Sequence, residues 1–227
     1  MFNSKKGQLI VIEGVDGSGK ETQTDRLYKR LREEKVPVMK VSYPRYDKDS
    51  SAMVRAYLAG EFGSDPDAVS PYIASTFYAA DRYASYKEDY EDFYKNGGIV
   101  IADRYTTSNM VHQAGKIQDW EEREKFMNWL TDYEFNLLGL PKPDRVFFLN
   151  ISPEINRQLI AGRANKITGG AEKDIHEKSS KHLRQSYANA IELSKRYHWI
   201  EIHCVQNGEL RSIDAIHQEI YEKIMEE

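Results

Sequence analysis

The feature that most constrains this chain is the glycine-rich segment GVDGSGK at positions 14–20, which lies between an apolar run and a helical pattern. The strand-loop-helix order and the spacing of the glycines and the lysine are typical of a phosphate-binding loop. Glycines let backbone N–H groups close around phosphates, the helix N-terminus adds positive potential, and Lys20 reaches the terminal phosphates. The alternative is an ordinary glycine-rich turn. The spacing, the lysine and the context together favour a nucleotide-phosphate site.

The position after the loop lysine departs from this pattern. A Ser or Thr hydroxyl normally follows the lysine and binds Mg²⁺, but this chain has Glu21 there and Thr22 one residue later. A carboxylate is also a hard oxygen ligand, so the metal role can survive the change. The alternative is that Glu21 points to solvent and complements the helix dipole.

Five short apolar runs are bounded by turn or charge signals and are predicted to be β-strands. The first, third and fourth are continuous, as expected for parallel strands covered on both faces. The fifth alternates and is predicted to lie at a sheet edge. The five runs are 9–12, 36–41, 99–102, 146–151 and 199–204.

Helical patterns separate these strands. Segments 20–34, 70–95 and 120–138 are predicted to be helices, with Ser70 and Pro71 opening the second, and two further helices are predicted to begin at Ser152 and Ser212. The alternation predicts an open, doubly wound α/β sheet, and the lack of repeats or linkers predicts a single domain over residues 1–227. The predicted core includes an aromatic stripe (Phe126, Trp129, Leu130, Tyr133, Leu137) and the inner face of the last helix (Ile213, Ile216, Ile220, Ile224).

Composition limits the classes of partner. With 32 Lys and Arg against 36 Asp and Glu, the net charge is −4, which argues against a general nucleic-acid coat or a binder of anionic membranes. The single cysteine, Cys204, forbids an internal disulfide and fits a reducing cytoplasm. The N-terminal apolar run is too short for a signal peptide or a membrane span.

Polar signals follow two more predicted strands. Asp103 and Arg104 come directly after the third strand, where the Asp can hold Mg²⁺ or its waters and the Arg can clamp a second phosphate. Arg45 follows the second strand. An Asp-Arg pair or a loop arginine is common on surfaces, but three strand ends with phosphate chemistry indicate one site at the carboxyl edge of the sheet.

Two weaker signals lie elsewhere. Tyr78 and Arg82 are four residues apart on the long predicted helix and share a face, so they can stack on a base and donate to its carbonyls, although core packing is the alternative. The glycine-rich basic segment at about 162–177 lacks apolar periodicity and is predicted to be a mobile lid, although an ordinary exposed loop is equally consistent with it.

Taken in order, these motifs resemble the thymidylate (dTMP) kinase family of P-loop nucleoside monophosphate kinases over nearly the whole chain. The match includes the phosphate loop with Asp16, the Pro44-Arg45 loop, the helix segment 77–82, the segment 103–109 and the lid with Asp174 and Glu177. The resemblance implies a P-loop NTPase-type fold, a five-stranded parallel sheet flanked by helices with a closing lid. It also implies a homodimer that uses Mg²⁺ and ATP to phosphorylate dTMP.

The resemblance also implies roles for particular residues. Lys20, Asp103, Arg104 and Arg163 would be catalytic, and Glu21 and Asp103 would hold the metal. ATP would contact the loop and the lid (Gly14, Asp16, Gly17, Ser18, Gly19, Lys20, Glu21, Thr22, Arg163). The dTMP would contact Asp16, Arg45, Phe77, Tyr78, Arg82, Arg104, Asn109, His112 and Gln113, with Tyr78 rather than Phe77 stacked on thymine. His112 stands where the family usually has an aromatic residue that crowds out a ribose 2′-hydroxyl.

Two other functions stay open at the level of sequence. A deoxynucleoside kinase shares the phosphate loop and the Asp-Arg pair, but its hydroxyl acceptor needs a carboxylate base, and Arg45 and Arg104 would then lack an acceptor phosphate. A catalytically silent nucleotide-binding module is the other alternative, because Glu21 breaks the metal-binding motif.

Overall fold

The computed structural model describes residues 6–152, 155 and 174–226 of the chain. Its central sheet has five strands, β1 (Gln8–Glu13), β2 (Val38–Ser42), β3 (Ile99–Asp103), β4 (Arg145–Asn150) and β5 (Ile200–His203). Neighbouring strands all pair in parallel, in the order β2-β3-β1-β4-β5. The prediction of a five-stranded parallel sheet with the last strand at an edge is therefore confirmed.

Helices cover both faces of this sheet. In the described part of the chain, no helix is both long and apolar enough to cross a membrane. The α-helices are α1 (Lys20–Glu33), α2 (Ala52–Ala59), α3 (Pro71–Ser85), α4 (Glu91–Lys95), α5 (Thr106–His112), α6 (Trp120–Thr131), α7 (Ile175–Lys178), α8 (Ser180–Arg196) and α9 (Ile213–Met225). The helix predicted to begin at Ser152 falls mainly on residues outside the described ranges.

Two predicted helices change their hydrogen-bonding pattern part-way along. A π-helical turn at Tyr86–Tyr90 separates α3 from α4, and another at Asp132–Leu137 follows α6. A π turn holds more residues than an α turn, so it shifts the face that later residues occupy. For this reason the prediction that Leu137 lies in the core is wrong, and its exposed fraction is 72%.

The ends of helices account for two smaller differences. Ser70 precedes α3 without a side-chain cap hydrogen bond, whereas the Ser212 Oγ accepts from the Ala215 N–H at 3.1 Å and caps α9 as predicted. Ile213 was predicted to face inward but is 48% exposed, because it opens α9 and no earlier turn covers it. The other three isoleucines of the predicted inner face, Ile216, Ile220 and Ile224, are buried.

The core lies in two layers, one on each face of the sheet. Leu9 and Val11 of β1 join one buried cluster, while Ile10 and Ile12 of the same strand join the other. Successive side chains of a strand point to opposite faces, so a strand buried on both faces has a continuous apolar sequence. The single-domain organisation of residues 1–227 stays a prediction.

A short hairpin was not predicted. Its strands are β6 (Val205–Gln206) and β7 (Glu209–Leu210), which form a separate antiparallel pair. Asn207 and Gly208 join them with φ angles of 52° and 81°, as a type I′ turn requires. The Asn-Gly pair was a visible signal, but the flanking strands are too short to show alternation.

Arg145 connects β4 to the end of α9. Its Nη1 donates to the carbonyls of Lys223 at 3.0 Å and Ile224 at 2.7 Å, which have no partner within the helix.

We expect Arg145→Met to lower the free energy of unfolding by about 1–2 kcal/mol, measured by urea denaturation. The control is Arg26→Met, which removes an exposed ion pair with Asp214 and should cost at most about 0.5 kcal/mol. Equal losses in the two variants would contradict a capping role for Arg145.

Candidate active site

A cavity lies at the carboxyl ends of β1, β2 and β3, where the phosphate loop meets the start of α5. Open parallel sheets form their ligand crevices at such strand ends. Seven of the nine residues predicted to contact the acceptor nucleotide line this cavity: Asp16, Tyr78, Arg82, Arg104, Asn109, His112 and Gln113. The other two, Arg45 and Phe77, do not.

The phosphate loop has the backbone that its glycines allow. Gly17 and Gly19 have φ angles of 80° and 87°, in the left-handed region that favours glycine, and Gly19 immediately precedes α1. Lys20 is only 6% exposed, and its Nζ donates to the Val15 carbonyl at 2.8 Å. The Ser18 Oγ is buried and has no hydrogen-bond partner among the described residues, so it is available to a ligand.

Arg104 lies between this loop and the cavity. Its backbone φ is 67°, a left-handed value that is uncommon for residues other than glycine and turns the chain sharply between β3 and α5. Its Nη2 donates to the Asp16 carboxylate, and its Nη1 donates to the Ser108 Oγ at 3.2 Å and to the His112 Nε2 at 3.3 Å. Arg104 is therefore held on several sides before any ligand binds.

The charges of this group depend on one another. Burial alone would raise the pKa of Asp16, but Arg104 and Lys20 outweigh it and hold that pKa well below its ordinary value. Burial would lower the pKa of Arg104, but the Asp16 and Glu13 carboxylates raise it. Burial and the charge of Arg104 lower the pKa of Lys20 to about 8, against the opposing effect of Asp16 and Asp103. Asp16 and Arg104 therefore stay charged at neutral pH.

Glu13 organises the base of the site, and the sequence analysis missed it. It is fully buried, and its carboxylate accepts from the Gly14 N–H at 2.9 Å, the Thr107 Oγ1 at 2.6 Å and the Ser108 Oγ at 2.8 Å. These bonds tie the start of the phosphate loop to the first turn of α5. The signal that could have identified Glu13 is its position as the acidic last residue of an otherwise apolar strand.

Tyr78 and Phe77 face different ways. Tyr78 lines the cavity and packs edge-on against Tyr57, with ring centroids 6.5 Å apart. Phe77 packs instead against Phe62 at 5.9 Å. Burial raises the pKa of Tyr78 well above its ordinary value, so its ring stays neutral. Of the two aromatic residues, only Tyr78 lines the cavity, and its stacking on a base stays a prediction.

Arg82 reaches the cavity as part of a buried ion pair. Its Nε and Nη2 donate to the two carboxylate oxygens of Glu134 at 2.7 and 2.5 Å. The Thr106 Oγ1 also donates to this carboxylate, at 2.6 Å. Burial would lower the pKa of Arg82, but Glu134 raises it. The pair fixes the guanidinium plane at the cavity wall beside Asn109, whose Nδ2 donates to the Ser75 carbonyl.

Arg45 is turned towards carboxylates. Its backbone N–H and Nε donate to Asp81 at 2.8 and 3.1 Å, and its Nη1 donates to Asp89 at 2.8 Å and Glu88 at 3.3 Å. Three acidic side chains on and after α3 thus satisfy this arginine beside the cavity rather than in it. The structure does not bring Arg45 to the other acceptor residues, and its phosphate-binding role stays a prediction.

The candidate metal ligands differ in exposure. Asp103 ends β3 and is buried beside Lys20, whereas Glu21 and Thr22 lie exposed in the first turn of α1. Arg163 and most of the lid predicted at about 162–177 lie outside the described residues, which resume at Asp174. Asp174 lines the cavity from this side.

Three buried histidines cluster beside the cavity, and two of them, His112 and His176, line it. His112 of α5, His176 of α7 and His182 of α8 have ring centroids 4.2 to 5.9 Å apart. Because Arg104 donates to the His112 Nε2, the proton of His112 lies on Nδ1, which donates to the His182 Nε2 at 3.4 Å. Burial lowers the pKa of all three, that of His182 to about 4, so the rings are neutral at pH 7.

Comparison with known proteins identifies the family. The model for thymidylate kinase matches residues 12–220 of the chain. The chain belongs to the thymidylate kinase family. It is 33% identical to the thymidylate kinase of Mycobacterium tuberculosis over 187 residues, which are 82% of this chain and 85% of the relative. It is 32% identical to a probable thymidylate kinase of Pyrobaculum aerophilum, over 79% of this chain and 80% of that one.

A solved structure supports the fold independently. The thymidylate kinase of Candida albicans superimposes with a TM-score of 0.70, over 97% of this chain and 92% of that one, at 22% identity. The family resemblance and the P-loop α/β fold that it implied are thereby confirmed. The roles of individual site residues stay predictions.

The buried pair of Arg82 and Glu134 can be tested through stability. Arg82→Met leaves the Glu134 carboxylate buried without a cation, and we expect this to lower the free energy of unfolding by about 3–5 kcal/mol. The double variant Arg82→Met/Glu134→Leu removes both charges and should recover most of that loss. Urea denaturation of the two single variants and the double variant measures the coupling. Losses that simply add in the double variant would contradict the pair.

Proposed function

We propose that this chain is a thymidylate kinase, which transfers the γ-phosphoryl group of ATP to dTMP and releases dTDP and ADP. The observation that carries the proposal is the ion pair between Asp16 of the phosphate loop and Arg104 of the cavity wall. A cation of the acceptor cavity thus lies directly beside a loop suited to a triphosphate. The relatives that carry the name thymidylate kinase support the same pair of substrates.

The donor side of the proposal depends on the loop and on Lys20. The buried Lys20 ammonium has a pKa lowered to about 8. Negatively charged triphosphate oxygens that approach it stabilise its protonated form and raise this pKa. Ser18 offers its buried hydroxyl to the same phosphates. Gly14, Gly17 and Gly19 supply backbone N–H groups, and Arg163 is proposed as a lid cation at the transferring phosphoryl group.

The acceptor side is proposed to run from Arg104 to Arg82. Arg104 binds the acceptor phosphate, and Asp16 contacts the deoxyribose 3′-hydroxyl. Tyr78 stacks on thymine, while Arg82 and Asn109 hydrogen-bond the base edge. Because Arg82 is fixed by Glu134, it presents its remaining N–H groups in one orientation, which favours one pattern of base carbonyls over others.

The reaction needs no dedicated base. The attacking oxygen belongs to a phosphate that is already an anion, so positioning and charge neutralisation supply the catalysis. Two polyanions must approach in line, and Lys20 and Arg104 oppose their repulsion. Arg104 is preorganised by Asp16 and Ser108, so little reorganisation is needed when the acceptor binds.

The residues present suit Mg²⁺. Asp103 presents a buried carboxylate near Lys20, and Glu21 a carboxylate in the first turn of α1; both are hard oxygen donors of the kind that Mg²⁺ prefers. When bound, the ion would neutralise charge on the ATP phosphates. We propose that Asp103 holds the ion or its waters, and that the exposed Glu21 reaches it directly or through a water.

The carboxylates of the cavity favour a phosphate acceptor over the alternatives. A deoxynucleoside kinase needs a carboxylate base for its hydroxyl acceptor, but Asp16 is paired with Arg104, and its lowered pKa makes it a weak base. With a nucleoside bound, Arg104 would have no acceptor phosphate to bind. A catalytically silent nucleotide-binding module would not require a second cavity for an acceptor beside its phosphate loop.

We further propose a homodimer without a nucleic-acid partner. The net charge of −4 opposes general binding to nucleic acid, and the exposed apolar side chains Met53, Phe62 and Ile73 are candidates for contact with a second copy. Cys204 is buried and its pKa is raised to about 12, which fits an unreactive thiol in a reducing compartment.

The first kinetic test concerns Arg104. We expect Arg104→Lys to lower kcat/KM for dTMP by about 10² or more, because a lysine cannot bridge phosphate and Asp16 together. The measurement is a coupled ADP-release assay with dTMP and with thymidine. The matched control is Arg123→Lys, which changes a partly buried arginine on α6 that pairs with Glu192.

The outcomes separate the three functions. Turnover of dTMP but not thymidine by the wild type, lost in Arg104→Lys and kept in Arg123→Lys, supports the proposal. Equal turnover of thymidine would instead indicate a deoxynucleoside kinase. No ADP release with either substrate would indicate a silent module.

The metal assignment has its own test. We expect Asp103→Asn to weaken the apparent Mg²⁺ affinity in ADP formation by about tenfold or more, because it removes a carboxylate from the donor set. Glu21→Ala should weaken it less, with partial rescue in Glu21→Ser. Overlapping Mg²⁺ titrations for wild type and both Glu21 variants would remove Glu21 from the site, and an unchanged titration for Asp103→Asn would remove Asp103.

A further inference from the structure

The cluster of three buried histidines contains His112, which is predicted to contact dTMP, but its convergence with His176 and His182 is not explained by the proposed phosphoryl transfer. Among the described residues, His112, His176 and His182 form the one group of three or more potential metal ligands whose donor atoms all lie within 4.8 Å of one another. They come from three different helices, α5, α7 and α8. Phenyl rings would fill the same volume without any polar atom to satisfy. The convergence of three imidazoles therefore points to a ligand.

One edge of the cluster already has the spacing of a metal site. Zinc–imidazole bonds of about 2.0–2.1 Å in a tetrahedral site place neighbouring nitrogens about 3.3–3.4 Å apart. The His112 Nδ1 and the His182 Nε2 are 3.4 Å apart. His176 is close to His182, with ring centroids 4.2 Å apart, and one donor nitrogen from each of the three rings lies within 4.8 Å of the other two.

The surroundings of His176 suit a metal ligand. Its Nε2 lies 2.9 Å from the Tyr57 hydroxyl, which accepts from Lys116 Nζ at 2.8 Å and can donate its own hydrogen to the Pro66 carbonyl. The Tyr57 oxygen can therefore accept from a His176 Nε2–H, which leaves Nδ1 of that ring for the ion. Such outer partners fix the tautomer and orientation of metal-binding histidines.

The donor set selects the class of ion. Three neutral imidazoles suit Zn²⁺, Co²⁺ or Ni²⁺, whereas Mg²⁺ prefers carboxylate, carbonyl and water oxygens. Because the rings are neutral, each has one nitrogen without a proton. Only His112 would have to lose a proton from its ligating nitrogen, the Nδ1 proton that it shares with the His182 Nε2. This cluster is thus chemically distinct from the carboxylates proposed for Mg²⁺.

Occupancy would change Arg104. The His112 Nε2 accepts from Arg104 while the Nδ1 carries the proton. Binding a metal through Nδ1 moves the proton to Nε2, where it faces an Arg104 N–H, and two donors cannot share that contact. Arg104 must then turn away from His112. The metal and the acceptor phosphate should therefore oppose each other's binding.

We propose that His112, His176 and His182 form a binding site for a transition-metal dication of the Zn²⁺ class, and that its occupancy displaces Arg104 and weakens binding of the acceptor nucleotide. The site is separate from the Mg²⁺ that accompanies ATP. Its effect on the enzyme is inhibitory.

Cobalt is the probe, because tetrahedral Co²⁺ has strong visible absorption bands that octahedral Co²⁺ in water lacks. The full chain without nucleotide is titrated with Co²⁺ in the presence of excess Mg²⁺. We expect one tetrahedral Co²⁺ per chain, with affinity reduced by at least about tenfold in His176→Gln and in His182→Gln. His203→Gln, which changes an exposed histidine outside the cluster, should bind as the wild type does.

Circular dichroism and thermal unfolding of each variant show whether it is folded. Absence of tetrahedral bands in the wild type would overturn the site, as would equal Co²⁺ binding by wild type and both cluster variants. If either single variant fails to fold, His112→Gln takes its place in the same comparison.

The link to Arg104 is tested by calorimetry of dTMP binding with and without bound Co²⁺. Coupling between two sites is reciprocal, so dTMP and Co²⁺ should each weaken the other by the same factor, at least about fivefold. Unchanged or tighter dTMP binding in the Co²⁺-loaded chain would overturn the link. Failure of dTMP to bind the metal-free chain would instead count against the proposed kinase function.

Discussion

The ion pair between Asp16 and Arg104 is the contact on which the site depends, because it joins the phosphate loop after β1 to the cavity wall after β3. Adjacent parallel strands bring these two residues together although they lie 88 residues apart in sequence. Removing either charge would leave the other partly buried without a counter-ion, so the pair stabilises one relative position of loop and wall. Glu13 strengthens the same junction from beneath, through the Gly14 N–H and the Thr107 and Ser108 hydroxyls.

The arginines at and beside the cavity all have acidic partners, so their charge is partly neutralised before any ligand binds. Arg104 pairs with Asp16, Arg82 with Glu134, and Arg45 with Asp81. The partners fix the direction of each guanidinium but cancel much of its charge. The cavity wall therefore contributes more to the orientation of a bound ligand than to the attraction of its negative charge. We expect the remaining neutralisation to come from Lys20 and from the Mg²⁺ ion and lid cation proposed above.

Local patterns in the sequence were sufficient to predict the sheet, together with Tyr78, Arg82 and Arg104 of the cavity, whereas Asn109, His112 and Gln113 came from the family resemblance. Strands buried on both faces have continuous apolar runs, and Gly17 and Gly19 occur where the loop needs left-handed backbone. The long-range partners could not be predicted in this way. Glu134 lies 52 residues from Arg82, and His182 lies 70 residues from His112, so no local spacing marks either contact. Leu137 was misplaced for a local reason, because a π turn breaks the 3.6-residue period from which its burial was inferred.

The histidine cluster follows from the residue at position 112. A ring without nitrogen would fill the same volume and require no polar partners, whereas a buried imidazole must satisfy both an acceptor and a donor. In His112, Arg104 supplies the donor for Nε2 and His182 supplies the acceptor for Nδ1. His182 then packs on His176, whose own nitrogen requires the Tyr57 hydroxyl and, beyond it, Lys116. A chain of polar contacts thus runs from His112 at the cavity outward to α7 and α8, and an ion bound at the cluster would act on Arg104 through the same contacts.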